Sequence, residues 1–216
     1  KILINDMENN NIGRLFIVTA PSGAGKTSLV KALLKLCPQI QISISHTTRY
    51  PREDEKDGVD YFFVNNEIFE NLKNNGEFLE NAECHGAKYG TAKTPVDSTL
   101  KSGKDIILEI DYQGALIVKN IFKEAISIFI IPPSMEILKQ RLVARGQNST
   151  VEINGRLTAA KEEIRHLEKF DYVIINENFD KALDNLKSIY DDSDESKKLV
   201  TANQKEIFQN VINSIK

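Results

Sequence analysis

The run Ala20-Pro-Ser-Gly-Ala-Gly-Lys-Thr27, followed by Ser28, places a cation and a hydroxyl directly behind a glycine-rich turn. Gly23 and Gly25 permit backbone conformations that turn successive N–H groups toward an anion, and a helix starting behind them adds its positive end. Lys26 is a mobile cation suited to β and γ phosphates, and the Thr27 hydroxyl is placed to ligate Mg²⁺. The stretch matches a phosphate-binding loop apart from Ala20, where the pattern has glycine. A turn serving geometry alone would explain the glycines but not Lys26-Thr27 at that offset.

Ile106-Ile-Leu-Glu-Ile-Asp111 is an apolar run ending in an acid, as expected of a second nucleotide-binding carboxylate opposite such a loop. Asp111-Tyr-Gln-Gly114 also fits Asp-x-x-Gly, the turn through which GTPases sense a γ-phosphate, but no Asn-Lys-x-Asp guanine reader occurs in the sequence. Arginines come in pairs, Arg49 with Arg52 and Arg141 with Arg145, a pattern suited to small phosphorylated ligands. Glu53 to Gly58 alternates acids like a calcium loop, yet Val64 stands where the required glutamate would be, so it reads as a solvated acidic turn. His46, His85 and His166 lack ligand-spaced partners, and Cys37 and Cys84 read as packed thiols rather than zinc ligands.

These groups need a scaffold that brings them together. Arg14 to Thr19 reads as a buried strand and Thr27 to Cys37 as a helix stopped by Pro38, which is the opening of a βαβ unit. Further strands are expected at 105–110, 126–131 and 172–175, alternating with helices. That order implies an α/β fold with a parallel sheet flanked by helices. From 45 to 93 short strand-like pieces such as Tyr61-Phe-Phe-Val64 and Phe78-Leu-Glu80 sit among charges and turn residues, and this reads as an inserted lobe. Thr94-Pro95 reads as an N-cap with proline at the first helical position, and Ser134 caps another helix running to Gly146. The core therefore covers 13–44 and 94–190, with a lid at about 145–156 beginning in the polar loop Gly146 to Thr150.

The 216 residues carry a net charge of -3, and the pI is near 5.7, so the basic footprint of a nucleic-acid binder is missing. Apolar stretches are too short to cross a bilayer and the N-terminus has no secretory pattern, so a cytoplasmic location and no membrane partner are expected. Residues 1–12 read as a tail; Lys1 stands first and Met7 precedes an asparagine run, so 1–6 read as a cloning scar or an upstream extension. Residues 191–216 read as an acidic linker and a weakly amphipathic helix, whose stripe fits its own chain or a homo-oligomer.

Ser43-Ile-Ser-His-Thr-Thr-Arg-Tyr-Pro-Arg52 resembles the S-x-S-x-T-T-R-x-P-R signature of the bacterial guanylate kinases. Gly58 to Val64, Glu80 followed by Tyr89-Gly-Thr91, and Glu109 to Gly114 follow in that family's order, after the phosphate loop. The resemblance implies a P-loop core with a GMP-binding lobe and a lid, and MgATP-dependent phosphorylation of GMP, and of dGMP, in purine metabolism. It implies GMP contacts from Ser45, Arg49, Arg52, Tyr61, Glu80, Tyr89, Thr91 and Asp111, with Glu80 accepting from guanine N1–H and the 2-amino group. Arg141, Arg145 and Arg156, with Lys26 and Arg49, would surround the transferring phosphoryl group. A GTPase or general ATPase, and a non-catalytic guanylate-kinase-like binding module, are the competing readings. The first should hydrolyse nucleotide without an acceptor, and the second should lack the phosphate loop and lid arginines.

Overall fold

The computed structural model describes residues 12–84, 86–144, 146 and 149–199. The expectations for 1–11, for His85, for Arg145 and for the C-terminal helix after 199 lie outside these residues.

β1 (Leu15–Thr19) is buried along its whole length, which is why it reads as a continuous apolar run rather than an alternating one. Successive side chains serve opposite faces. Leu15 and Ile17 join one core with Val96, Leu100, Ala115 and Phe170, while Phe16 and Val18 join another with Leu29, Leu33, Leu186 and Ile189. Around β1 lie β2 (Gln41–Ile42), β7 (Ile106–Glu109), β8 (Ile126–Ile131) and β9 (Tyr172–Ile175), all parallel in the order β2-β7-β1-β8-β9. β1 leads toward the β2 side and β7 leads back across to β8. A crevice therefore opens at the carboxyl ends of β1 and β7, where connections change direction.

Helices α1 (Lys26–Leu36) and α7 (Phe179–Tyr190) cover one face. α3 (Lys93–Lys101) and α4 (Tyr112–Ile121) cover the other. α3 corrects the expected cap: its N-cap is Ala92, which makes no side-chain bond, so Pro95 is the third helical residue. Proline is tolerated there because the first-turn N–H groups have no intrahelical acceptor. The Ser134 hydroxyl does accept from the Ile137 N–H at 3.2 Å, starting α5 (Met135–Ala144).

A second sheet has the order β4-β3-β6-β5, from β3 (His46–Thr47), β4 (Phe62–Phe63), β5 (Phe78–Cys84) and β6 (Ala87–Ala92). Its own packing is small: Phe69 of α2 (Asn66–Asn74) meets Phe78 at 4.8 Å, and His46 meets Phe62 and Phe78. β5 ties this sheet to the main body, since Leu79 enters the core under α3. At Gly114 a Cβ would lie 2.4 Å from Glu80 Oε2, so only glycine lets α4 approach β5 here. α6 (Thr150–Ile164) starts with a capping box between Ser149 and Glu152 and packs Ile153 and Ala160 on Leu138 and Leu142 of α5.

Candidate active site

The turn after β1 bends through Gly23 and Gly25, both left-handed with φ of 95° and 98°. Ala20 does not have positive φ, so the first loop position needs no glycine and the methyl group is simply buried. The loop is clamped from behind. Asn176, at the end of β9, donates from Nδ2 to the Ala24 carbonyl at 2.7 Å, and a Cβ on Gly25 would meet that nitrogen at 2.4 Å. Lys26 and Thr27 open α1, so the cation, the hydroxyl and the positive helix end face one crevice.

The floor of the crevice comes from β7. Val18 pairs with Glu109 across the ladder, and the Glu109 carboxylate accepts from the Thr27 hydroxyl. Lys26 Nζ donates to the Ile110 carbonyl at 3.1 Å. The strand ends at Glu109, and Asp111 caps α4, its Oδ1 accepting from the Gly114 N–H at 2.8 Å. Both acids line the crevice, but Glu109 is the one bonded to the phosphate loop.

Facing the loop, the second sheet and the turns that flank it contribute Ser45, Arg52, Tyr61, Glu80 and Tyr89 to the same crevice. Glu80 is buried and accepts from the Thr91 hydroxyl at 2.6 Å, and the Thr91 oxygen stands 3.5 Å from that of Ser45. Burial, with the Asp111 charge adding to it, pushes the Glu80 carboxyl up to about 7 against the pull of Thr91 and Lys26. Burial and the charge of Glu109 push the Tyr61 phenol up to about 12, so it keeps its proton and can donate. An adjoining hollow shares Ser22, Arg52 and Tyr89 with the crevice and adds Arg49 and Arg156. Arg156 Nη1 donates to the Ser22 hydroxyl at 2.6 Å, joining α6 to the phosphate loop.

Of the expected residues, Pro21, Ser22, Gly23, Lys26, Thr27 and Ser28 line the crevice with Ala20 and Gly25, whereas Ala24 is buried behind it. Arg141 does not line either space. Its Nη2 donates to the Asn176 carbonyl at 2.7 Å, so in this structure it braces the residue that braces the loop.

The sequence profile of the guanylate kinase family matches residues 12–193. The chain belongs to the guanylate kinase family. It is 57% identical over 177 residues to a guanylate kinase of Methylobacillus flagellatus, covering 82% of this chain and 88% of that one. It is 54% identical over 178 residues to a guanylate kinase of Hahella chejuensis, covering 82% and 86%. The crystal structure of guanylate kinase from Anaplasma phagocytophilum superposes with a TM-score of 0.71 at 35% identity, covering 84% of this chain and 86% of that one.

For a guanylate kinase fold, four residues of the site went unread in the sequence. Glu109 was hidden as the last residue of an apolar strand, two residues before the more conspicuous Asp111. Asn176 follows the strand pattern directly, at the carboxyl end where α/β sites form. Glu163 is buried in the crevice wall, where burial pushes it up to about 7 against the pull of Lys26. Its only sequence signal is a position seven residues beyond Arg156, on the same face of α6. Cys84 also lines the crevice; burial raises its thiol to about 11, which keeps it protonated and unreactive.

Proposed function

We propose that this protein transfers the γ-phosphoryl group of ATP to the 5′-phosphate of GMP, giving ADP and GDP. The single observation that carries the reading is the buried Glu80 in the same crevice as Lys26, which Arg52, Tyr61 and Tyr89 also line. A phosphate loop on one wall and an acid with phosphate-suited side chains on the other is an arrangement for two nucleotides end to end.

Ionised Glu80 accepts from guanine N1–H and the 2-amino group, Ser45 adds a polar group to the pocket lining, and Thr91 supports Glu80 from behind. Adenine offers neither donor. AMP would leave these buried groups unpaired, at about 1 to 3 kcal/mol each. Base recognition uses no ribose hydroxyl, which supports dGMP as a second acceptor. Arg49, Arg52, Tyr61 and Tyr89 take the acceptor phosphate, and Asp111 lies beside Glu80 to assist at the 2-amino group.

The acceptor oxygen is already an anion, so no general base is needed; the residues position two polyanions and offset their repulsion. Lys26 serves the β and γ phosphates, while Arg156, beside Ser22 of the loop, serves the transferring group together with Arg145; Arg141 joins them on releasing the Asn176 carbonyl. The hydroxyl of Thr27 and the carboxylate of Glu109 are hard oxygen donors that fit Mg²⁺. Among the described residues no cluster of three His, Cys, Asp or Glu could hold a metal by itself, as suits an ion taking most ligands from phosphates and water. When bound with ATP, that ion neutralises phosphoryl oxygens.

Among the described residues no helix is long and apolar enough to cross a membrane. Dependence on ATP supports a cytoplasmic place of work. The test is ADP release from ATP measured with GMP, dGMP, AMP, UMP and CMP. GMP should stimulate strongly and dGMP measurably, and a preference for AMP would overturn the acceptor assignment.

A further inference from the structure

Glu55 lies in the acidic turn that the sequence pattern assigned to solvent, and the structure corrects that reading. Its side chain is only 15% exposed. Arg49 grips it with both terminal nitrogens, Nη1 to Oε2 at 2.8 Å and Nη2 to Oε1 at 2.9 Å. The backbone N–H of Arg52 donates to Oε2 at 2.8 Å, and Arg52 Nη1 stands 3.8 Å from Oε1. The Arg49 guanidinium is further fixed by a bond from Nη1 to the Tyr50 carbonyl at 2.8 Å. Its central carbon lies over the Tyr61 and Phe63 rings, 5.3 and 5.7 Å from their centroids.

A guanidinium has five N–H groups. Three are occupied by Glu55 and Tyr50. The Nε hydrogen and the second hydrogen on Nη2 remain for Tyr89, which also acts on this guanidinium, and for a ligand. Glu55 thus fills one edge of the fork and leaves another toward the hollow shared by Arg52, Tyr89 and Arg156.

We propose that Glu55 is a positioning residue for the acceptor phosphate, holding Arg49 and Arg52 together as one clamp before the nucleotide arrives. The proposal rests on the reading that these arginines bind that phosphate. An acid that merely mimicked the phosphate would have to leave when GMP entered. Glu55 need not leave, because it grips an edge of Arg49 and a backbone N–H of Arg52 that the ligand does not require. With Glu55 ionised and bonded, the long Arg49 side chain arrives already ordered, and less conformational freedom is lost on binding.

The experiment is calorimetric binding of GMP and of guanosine to the full chain, to Glu55→Gln, to Arg49→Ala and to the double variant. Glu55→Gln should weaken GMP roughly ten- to hundredfold, the size of one lost charge-assisted bond, while guanosine binding stays unchanged. In the Arg49→Ala background the same change should cost clearly less than in the full chain, since only the hold on Arg52 remains to be lost. Unchanged or tighter GMP binding by Glu55→Gln, with Arg49→Ala impaired, overturns the proposal. An equal loss of guanosine affinity does so too, because it would mean that Glu55 only holds the lobe in shape. Normal GMP binding by Arg49→Ala would remove the phosphate reading itself, a separate failure seen in a separate variant.

Discussion

The two walls of the crevice are built by different means. The ATP wall, Ala20 to Thr27, is a continuous stretch whose backbone presents the binding groups, and it is shaped by two left-handed glycines and braced by Asn176. The acceptor wall is assembled from side chains on separate strands and turns, each held by another polar group: Arg49 by Glu55, Glu80 by Thr91. A backbone cradle, once braced from behind, presents N–H groups that serve any polyphosphate. A side-chain pocket selects one base, but it must keep buried charges satisfied while empty. Its cost appears in the raised carboxyls of Glu80 and Glu163.

If that contrast holds, damage to the two walls separates in the kinetics. The largest effect is expected for Lys26→Ala: turnover should drop roughly 10²- to 10³-fold, as for loss of one transition-state charge donor, with GMP still bound. Steady-state rates combined with GMP calorimetry check this; near-normal turnover would remove Lys26 from the chemistry. Next is Glu80→Gln, which should raise the KM for GMP by about ten- to hundredfold and leave that for ATP nearly untouched. Equal changes in both would show that the walls are not separable.

A smaller effect is expected at the brace. Gly25→Ala forces an L side chain into a left-handed conformation, costing about 1 to 2 kcal/mol, and also presses on Asn176. The melting temperature should fall by several degrees and ATP affinity should weaken before GMP affinity does; the reverse order would break the assignment of the loop to ATP.

The smallest effect is a pH slope. Glu80 and Glu163 bind protons more tightly folded than unfolded, so between about pH 5 and 7 the native state holds more protons and stability declines as pH rises. The bonded acids Glu55, Asp60, Asp105 and Asp171 have lowered values and act in the opposite sense at lower pH, while His46, lowered by burial, opposes the raised pair within this window as one imidazole against two carboxyls. Thermal melts of the ligand-free protein from pH 5 to 8 should slope downward, and Glu80→Gln with Glu163→Gln should flatten or reverse the slope, leaving His46 as the group that titrates there. In the same window GMP should bind more weakly as pH falls below about 7, because a protonated Glu80 no longer accepts from both guanine donors. A flat GMP profile would mean that Glu80 is ionised throughout.

Much of the scaffold was legible. β8 and β9 fall at their expected bounds, and β1 and α1 within a residue of theirs, because apolar runs between glycine and proline punctuation report burial directly. β2 and β3, two residues each, left no periodicity to read. The cap of α3 was misplaced because Thr94-Pro95 is a strong local signal, yet the Lys93 N–H already bonds to the Glu77 carbonyl at 2.9 Å and the helix starts earlier. Glu55 was misread for a related reason. An acid-rich turn looks solvated until the fold brings Arg49 over it.

By itself, the sequence determined the phosphate loop and the alternation of strands and helices, since both rest on near neighbours in the chain and on the period of burial. Resemblance to known signatures added the candidates for the acceptor. Only the tertiary structure decided that Glu109 rather than Asp111 meets Thr27, that Arg156 meets Ser22 across 134 residues, and that Asn176 stands behind Ala24. These pairings join distant positions, and their geometry follows from how the elements pack, which no local spacing encodes.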